Sequence, residues 1–233
     1  MIGRTTLFKT MLGLTLLGAC SGCTVSGDDD EGDGGGVLLI EPLAQDAMAS
    51  GLMIDKAELS LSAVALDPCM TDAALLRTLP FSFDLFQQPP ASVGFMSAVT
   101  DYCGLEVDLG PEASGDLSEL EGATALLHGT RPDGTQFTLT STLATTLNFD
   151  SDVTLDAMHL VLGVDFDAWF ANADLTNAQA SDDGVLIDAN DNPDVLAAFD
   201  AATSSAFAVY DDVNGDGKIT GSELVPVATA AMP

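Results

Sequence analysis

Between residues 37 and about 170, apolar side chains recur at every second position, and this period constrains the fold more than any other feature of the chain. Ala57, Leu59, Leu61 and Ala63 alternate with Glu58, Ser60 and Ser62. Phe81, Phe83 and Leu85 alternate with Ser82 and Asp84, and Cys103, Leu105, Val107 and Leu109 with Gly104, Glu106 and Asp108. Thr135 to Leu143 alternates less cleanly, whereas Met158, Leu160, Leu162, Val164 and Phe166 alternate with His159, Gly163 and Asp165. A strand turns successive side chains to opposite faces, so each segment can bury one face and leave the other in water. Arg131-Pro132-Asp133-Gly134 has the composition of a turn and joins Ala123–His128 to Thr135–Thr140 as a hairpin. About seven short strands divided by polar turns predict a mainly β body over residues 37–175, an antiparallel β-sandwich.

The acids fall mainly on the outward positions of these strands, which makes most of the charge a solvated surface. That charge is large. Asp and Glu total 36 against 6 Lys and Arg, a formal net charge of -30 over 233 residues. Phosphate neutralisation needs basic residues in number, so nucleic acid is excluded as a partner, as is a polybasic contact with anionic lipid. Cations are the favoured partners. The chain is still 47% hydrophobic, enough to build a core.

At the N-terminus, Arg4 and Lys9 precede a short apolar run, Met11 to Ala19, which is too short to span a bilayer and suits a secretory signal. It ends in Leu17-Gly18-Ala19-Cys20. This resembles the lipobox of bacterial lipoproteins. The resemblance implies that residues 1–19 are a signal peptide cut before Cys20 and that the Cys20 sulfur carries a diacylglycerol. Cys23 also follows small residues but has no aliphatic residue three positions earlier. Ser21 after the lipidated position, read by the sorting rule of enterobacterial lipoproteins, implies the outer membrane. Acyl chains would attach the mature protein to the membrane without a transmembrane helix. Residues 20–36 (CSGCTVSGDDDEGDGGG) are flexible, acidic and without apolar period, and read as a tether.

Cys69 and Cys103 remain. In an exported protein they can form a disulfide, which the loop-entropy model values at roughly 3–4 kcal/mol. A two-Cys metal site would need further ligands, and neither a close Cys pair nor a nearby His supplies them.

After residue 170 the period changes. Asn192 as N-cap, Pro193 in the first turn and Asp194 beside it predict a helix start, and Leu196, Phe199, Ala206, Phe207 and Tyr210 follow at helical spacing. This predicts a helical unit over residues 176–233 that runs into Asp212.

Residues 212–223 read Asp-Val-Asn-Gly-Asp-Gly-Lys-Ile-Thr-Gly-Ser-Glu. Asp212, Asn214 and Asp216 place side-chain oxygens at positions 1, 3 and 5. Gly217 permits a sharp turn at position 6, Lys218 offers its backbone carbonyl at 7, Thr220 acts directly or through water at 9, and Glu223 gives two oxygens at 12. The segment resembles the EF-hand calcium loop position by position, with Ile219 as the apolar anchor at position 8. The resemblance implies one Ca2+ ion. Pro226 cuts the exiting segment short, so the loop also resembles the calcium repeat of dockerin domains, which carry two. Asp188–Phe199 fails as a second, having Pro193 at position 6 and Phe199 at position 12. Val185-Leu186-Ile187 is the candidate strand to pair with Ile219.

No Gly-x-Ser-x-Gly elbow and no phosphate loop occurs, and the two histidines, His128 and His159, lack helical metal spacing. Trp169 and Phe170 end the last strand as a core or rim plug, or as a sugar-stacking platform. The strand body, with Tyr102-Cys103-Gly104-Leu105, resembles uncharacterised β-sandwich domains of bacterial surface lipoproteins, which implies no activity. The expectation is an exported, lipid-anchored, non-enzymatic calcium-binding protein with a structural or surface-interaction role; the alternative is a calcium-dependent module that binds a glycan or a protein.

Overall fold

A computed structural model describes residues 35–43, 48–49, 51–69, 75–96, 101–111, 117, 119–120, 122–156, 160–181, 184–216 and 218–232. The expected signal peptide and most of the tether, with Cys20 and Cys23, lie outside the described residues, as do His159 and Gly217. The described strands are β1 (Gly35–Pro42), β2 (Met48–Ala49), β3 (Leu52–Pro68), β4 (Leu75–Asp84), β5 (Ala91–Met96), β6 (Asp101–Leu109), β7 (Ala125–Thr130), β8 (Gln136–Ser141), β9 (Thr145–Asp156), β10 (Leu160–Val164), β11 (Val185–Ile187), β12 (Phe207–Asp211) and β13 (Ala228–Thr229). Three short helices, α1 (Phe166–Phe170), α2 (Pro193–Ala201) and α3 (Thr203–Ala206), and one 3-10 turn (Gly221–Leu224) complete the described elements.

The chain is mainly β, as its alternation predicts. One sheet runs β13-β12-β10-β1-β5; the other runs β11-β8-β7-β3-β6-β9, with β2 and β4 also paired to β3. The long β3 organises the second sheet. β7 pairs with it over Met53–Leu59 and β6 over Leu61–Pro68, and the register shifts within each pairing, between Ile54 and Lys56 against β7 and between Leu61 and Ala63 against β6. The hairpin about Arg131–Gly134 forms between β7 and β8, with Leu127 opposite Leu139. Cys69 and Cys103 are joined by a disulfide, just beyond the Pro68–Tyr102 pair of β3 and β6.

The sheets are not purely antiparallel. β1 runs parallel to β10, with Leu38 opposite Leu160, and β11 runs parallel to β8. Both pairs join segments distant in the chain, where no tight hairpin dictates direction. β10 is buried at every residue, as parallel neighbours covered on both faces tend to be. Leu160, Leu162 and Val164 belong to the main core, while Val161 packs with Tyr210 and Ile219 in a separate cluster. Gly163 lies where a Cβ would collide with Leu43 and the Tyr210 ring.

The predicted C-terminal helix is shorter than its spacing implies. It stops at Ala201, α3 ends at Ala206, and Phe207–Asp211 is a strand antiparallel to β10. Phe207 and Val209 thereby enter the main core while Tyr210 joins the outer cluster. Phe-Ala-Val-Tyr also satisfies a period of two, and the free edge of β10 decides between the readings. Asn192 does not cap α2 with its side chain; it adopts a left-handed backbone, its Oδ1 accepts from Gln179 N (2.7 Å), and its Nδ2 donates to Leu186 O (2.6 Å). Phe166, expected at the end of a strand, instead starts α1, whose Ala168 N donates to Asp165 Oδ1 (3.1 Å).

Trp169 and Phe170 are core residues, 1% and 2% exposed, which removes the sugar-platform reading. Trp169 stacks on Phe199 (4.5 Å between centroids), meets Phe207 edge-on, and donates Nε1–H to Thr203 Oγ1. Such ring pairs contribute about 0.5–1.5 kcal/mol each beyond area burial. They tie α1, α2 and β12 into one core with both sheets.

Candidate metal centre

Residues 212–223 leave the end of β12 and close on the 3-10 turn at Gly221–Leu224. A strand, not the expected helix, therefore leads into the loop. Within it, side-chain oxygens at alternate positions gather backbone N–H groups. Asp212 Oδ1 accepts from Gly215 N (2.8 Å) and Asp216 N (3.2 Å), Asn214 Oδ1 from Asp216 N (2.9 Å), and Asp216 Oδ1 from Lys218 N (2.9 Å). Gly215 holds a φ of 70, a backbone conformation that a side chain would strain. Short Asp and Asn side chains favour such local bonds, and each bond curls the chain inward.

Glu223 closes the loop. Its Oε2 accepts from Thr220 N (3.1 Å) and Thr220 Oγ1 (3.4 Å) within a capping box, and its Oε1 reaches across to Asn214 N (3.3 Å). Its carboxylate thus bridges the two ends of the segment while only 7% exposed, and Asp212 is 3% exposed. Lys218 is the one basic side chain in the segment, and it is exposed.

The loop is anchored at its eighth position. Ile219 is 6% exposed and packs with Val161 and Tyr210, with Leu39 and Leu43 alongside. Its N–H donates to Glu41 Oε1 (3.0 Å) across 178 residues of sequence. Val185–Ile187 does not take that place, because it pairs with β8 along Phe137–Leu139. Burial raises the Glu41 carboxyl above its ordinary value; the Ile219 N–H opposes this, the charges of Asp212 and Asp216 add to it, and Lys218 offsets part. Sequence reasoning missed Glu41. Its sole signal is an acid at the end of the apolar run Val37-Leu38-Leu39-Ile40.

The donor set suits a hard cation. Asp212, Asn214, Asp216, the Lys218 carbonyl, Thr220 and Glu223 offer oxygen alone, the chemistry calcium selects. Among the described residues, no three His, Cys, Asp or Glu side chains converge into a group that could hold a metal. The carboxylates are spread along the curl and engaged with N–H groups, so ion binding would draw them inward.

Beside the loop lies a groove of about 620 Å³, with Asp216 and Lys218 on its border and Glu41 in its wall. Elsewhere, Lys56 Nζ pairs with Glu58 (2.8 Å) and Glu119 (2.5 Å), and His128 Nδ1 meets Thr138 Oγ1 (3.0 Å) on β8. The Lys56 contacts tie Glu119 to β3, and the His128 contact links β7 to β8.

No family model matches the chain, and no curated protein does. Among solved structures, MbnP from Methylosinus trichosporium is similar over 86% of this chain and 98% of its own, at 14% identity and a TM-score of 0.50. At that identity the likeness is one of fold. It agrees with the mainly β architecture and says nothing of the loop at 212–223.

Proposed function

We propose that residues 212–223 bind one calcium ion, and that the chain is an exported, non-enzymatic protein of the bacterial cell envelope, lipid-anchored through Cys20. The ion fastens the C-terminal segment to the body, whose two sheets act as the leaves of a sandwich with an EF-hand-like loop at one edge. The observation that supports this reading most is the Glu223 carboxylate. It folds back so that Oε1 accepts from Asn214 N and Oε2 from Thr220 N, which brings the position-12 carboxylate back to the loop, where calcium loops use it as a two-oxygen ligand. Calorimetric titration of the full chain in detergent micelles tests it. Calcium should bind one-to-one with a Kd of about 10⁻⁴–10⁻³ M, the range of extracellular modules. No heat, together with no protection from proteolysis at 212–223, refutes it. Mass spectrometry of the mature N-terminus tests the anchor: an acylated Cys20 is expected, and a chain starting at an unmodified residue refutes it.

A second reading is calcium-dependent binding of a glycan or protein. The groove favours it, because Asp216 and Lys218 border both the groove and the loop.

A further inference from the structure

The groove has two unlike sides. Leu85, Phe86, Pro89 and Pro90, following β4, form an apolar wall; Glu41, Asp216 and Lys218 supply the charge. The apolar wall is braced from behind. Leu85 is 3% exposed and its N–H donates to Ala57 O (2.8 Å), Phe86 N donates to Asp84 Oδ1 (2.9 Å), and the Phe86 ring stacks on Phe166 (5.8 Å between centroids). A wall fixed in this way loses little entropy when covered. Its volume lies within the range of ligand clefts, with room for a few side chains. The charged side carries two carboxylates against one ammonium, within a chain whose formal charge is -30. The field around such a chain draws in cations and repels anions. A neutral glycan would gain nothing from it.

We propose that this groove binds an extended peptide segment of a partner protein that sets a Lys or Arg beside apolar residues, the basic group meeting Glu41 and the apolar residues covering Phe86, Pro89 and Pro90. It takes the groove of the second reading above but departs from its calcium dependence, and it holds whether or not residues 212–223 bind calcium. Asp216 is exposed and belongs to the loop's own donor set, whereas Glu41 is half-buried, so Glu41 is the carboxylate that discriminates. Lys218 is exposed at the border, where its flexible stem leaves room for a second cation.

The test is fluorescence anisotropy on the full chain in micelles, using a labelled Leu-Arg-Phe-Lys-Leu peptide, its counterpart with both basic residues replaced by Glu, and cellohexaose as competitor, each with calcium and with chelator. The basic peptide should bind and the acidic one should not. Glu41→Gln keeps an acceptor for Ile219 N–H but removes the charge; it should weaken binding about three- to fivefold, the worth of an exposed ion pair. Gln88→Lys, an exposed lining residue outside residues 212–223, should weaken it at least as much. Equal affinity in wild type and both variants overturns the proposal, since attraction would then be to the surface at large. Displacement by cellohexaose, or no binding of the basic peptide, also overturns it. Binding of the basic peptide should persist in chelator, and its loss there overturns the proposal as stated.

Discussion

Replacing Glu223 by Gln separates the ion from the fold. A ligand that binds only the folded state stabilises it by RT ln(1 + [L]/Kd). With about 10 mM calcium and a Kd of about 10⁻⁴–10⁻³ M, that is ~1.4–2.7 kcal/mol. For a domain of this size each kcal/mol moves the melting temperature by about 2–4 °C, so calcium should raise it by ~3–11 °C. The amide of the variant offers one neutral oxygen where the Glu223 carboxylate offers two charged ones. A hundredfold loss of affinity, ~2.7 kcal/mol, leaves less than ~0.4 kcal/mol of calcium stabilisation, about 1 °C. In chelator the substitution has opposing effects. One of the N–H groups of Asn214 and Thr220 loses its acceptor, costing about 1 kcal/mol. A negative charge also leaves the neighbourhood of Asp212, which helps. The decisive quantity is therefore the calcium-dependent difference, read by differential scanning calorimetry of both proteins with calcium, with magnesium and with chelator. An equal calcium-induced rise in wild type and Glu223→Gln refutes the site.

Further expectations follow from particular contacts. Ile219→Ala removes the anchor on Val161 and Tyr210 and should cost about 2 kcal/mol, the low end for a core truncation because the cluster lies at the edge. Hydrogen exchange of the loop amides should accelerate while β10 stays protected, and unchanged exchange counts against docking through Ile219. Replacing Cys69 and Cys103 together by Ser opens a crosslink spanning 34 residues, worth about 3.5–4 kcal/mol by loop entropy; a loss below about 1 kcal/mol in urea unfolding rejects that account. Burial raises the Asp200 carboxyl above its ordinary value, although Ser141 Oγ donates to it (2.6 Å). The folded state then holds the proton more tightly than the unfolded state, so stability falls as pH rises from the ordinary Asp value through the raised one. Asp200→Asn should be more stable than wild type at about pH 7, with the gap closing towards about pH 3. A gap that widens on acidification contradicts the assignment.

Local rules made some elements legible and tertiary competition hid others. Leu59 and Leu61 on β3, and Leu105 and Val107 on β6, alternate so cleanly that no other period fits, and their strands stand where expected. The β7–β8 hairpin was equally plain, because Pro132, Asp133 and Gly134 each favour the turn. Phe207 to Tyr210 fits both a helix and a strand, and the choice belongs to β10, about 45 residues away, which local pattern does not report. Parallel pairing of β1 with β10 was hidden for the same reason. Asn192 satisfies the composition of an N-cap, yet its side chain is drawn to Gln179 and Leu186 across a loop. In the candidate centre, the order of oxygen-bearing residues was readable because they lie within one continuous segment, but the brace was not, because Glu41 is 178 residues from Ile219 in the chain.

The brace bears on how one loop can suffice. A short curl carrying Asp212, Asp216 and Glu223 repels itself, and the 3-10 turn that contains Glu223 is too brief to hold it alone. Here the small sheet supplies the missing support. Ile219 buries its side chain against Val161 and Tyr210, and its N–H finds an acceptor in Glu41 at the end of β1. Both β1 and β12 flank β10, so the strand that leads into the loop and the strand that braces it share one rigid neighbour. An ion that pulled Asp212 and Glu223 together would therefore pull against the sheet, not against a flexible tail. On this argument, cutting the brace with Glu41→Ala should lower calcium affinity although Glu41 supplies no ligand, whereas Glu41→Gln, which retains the acceptor, should preserve most of it. Equal affinity in the two variants would show that the loop holds its shape without the sheet.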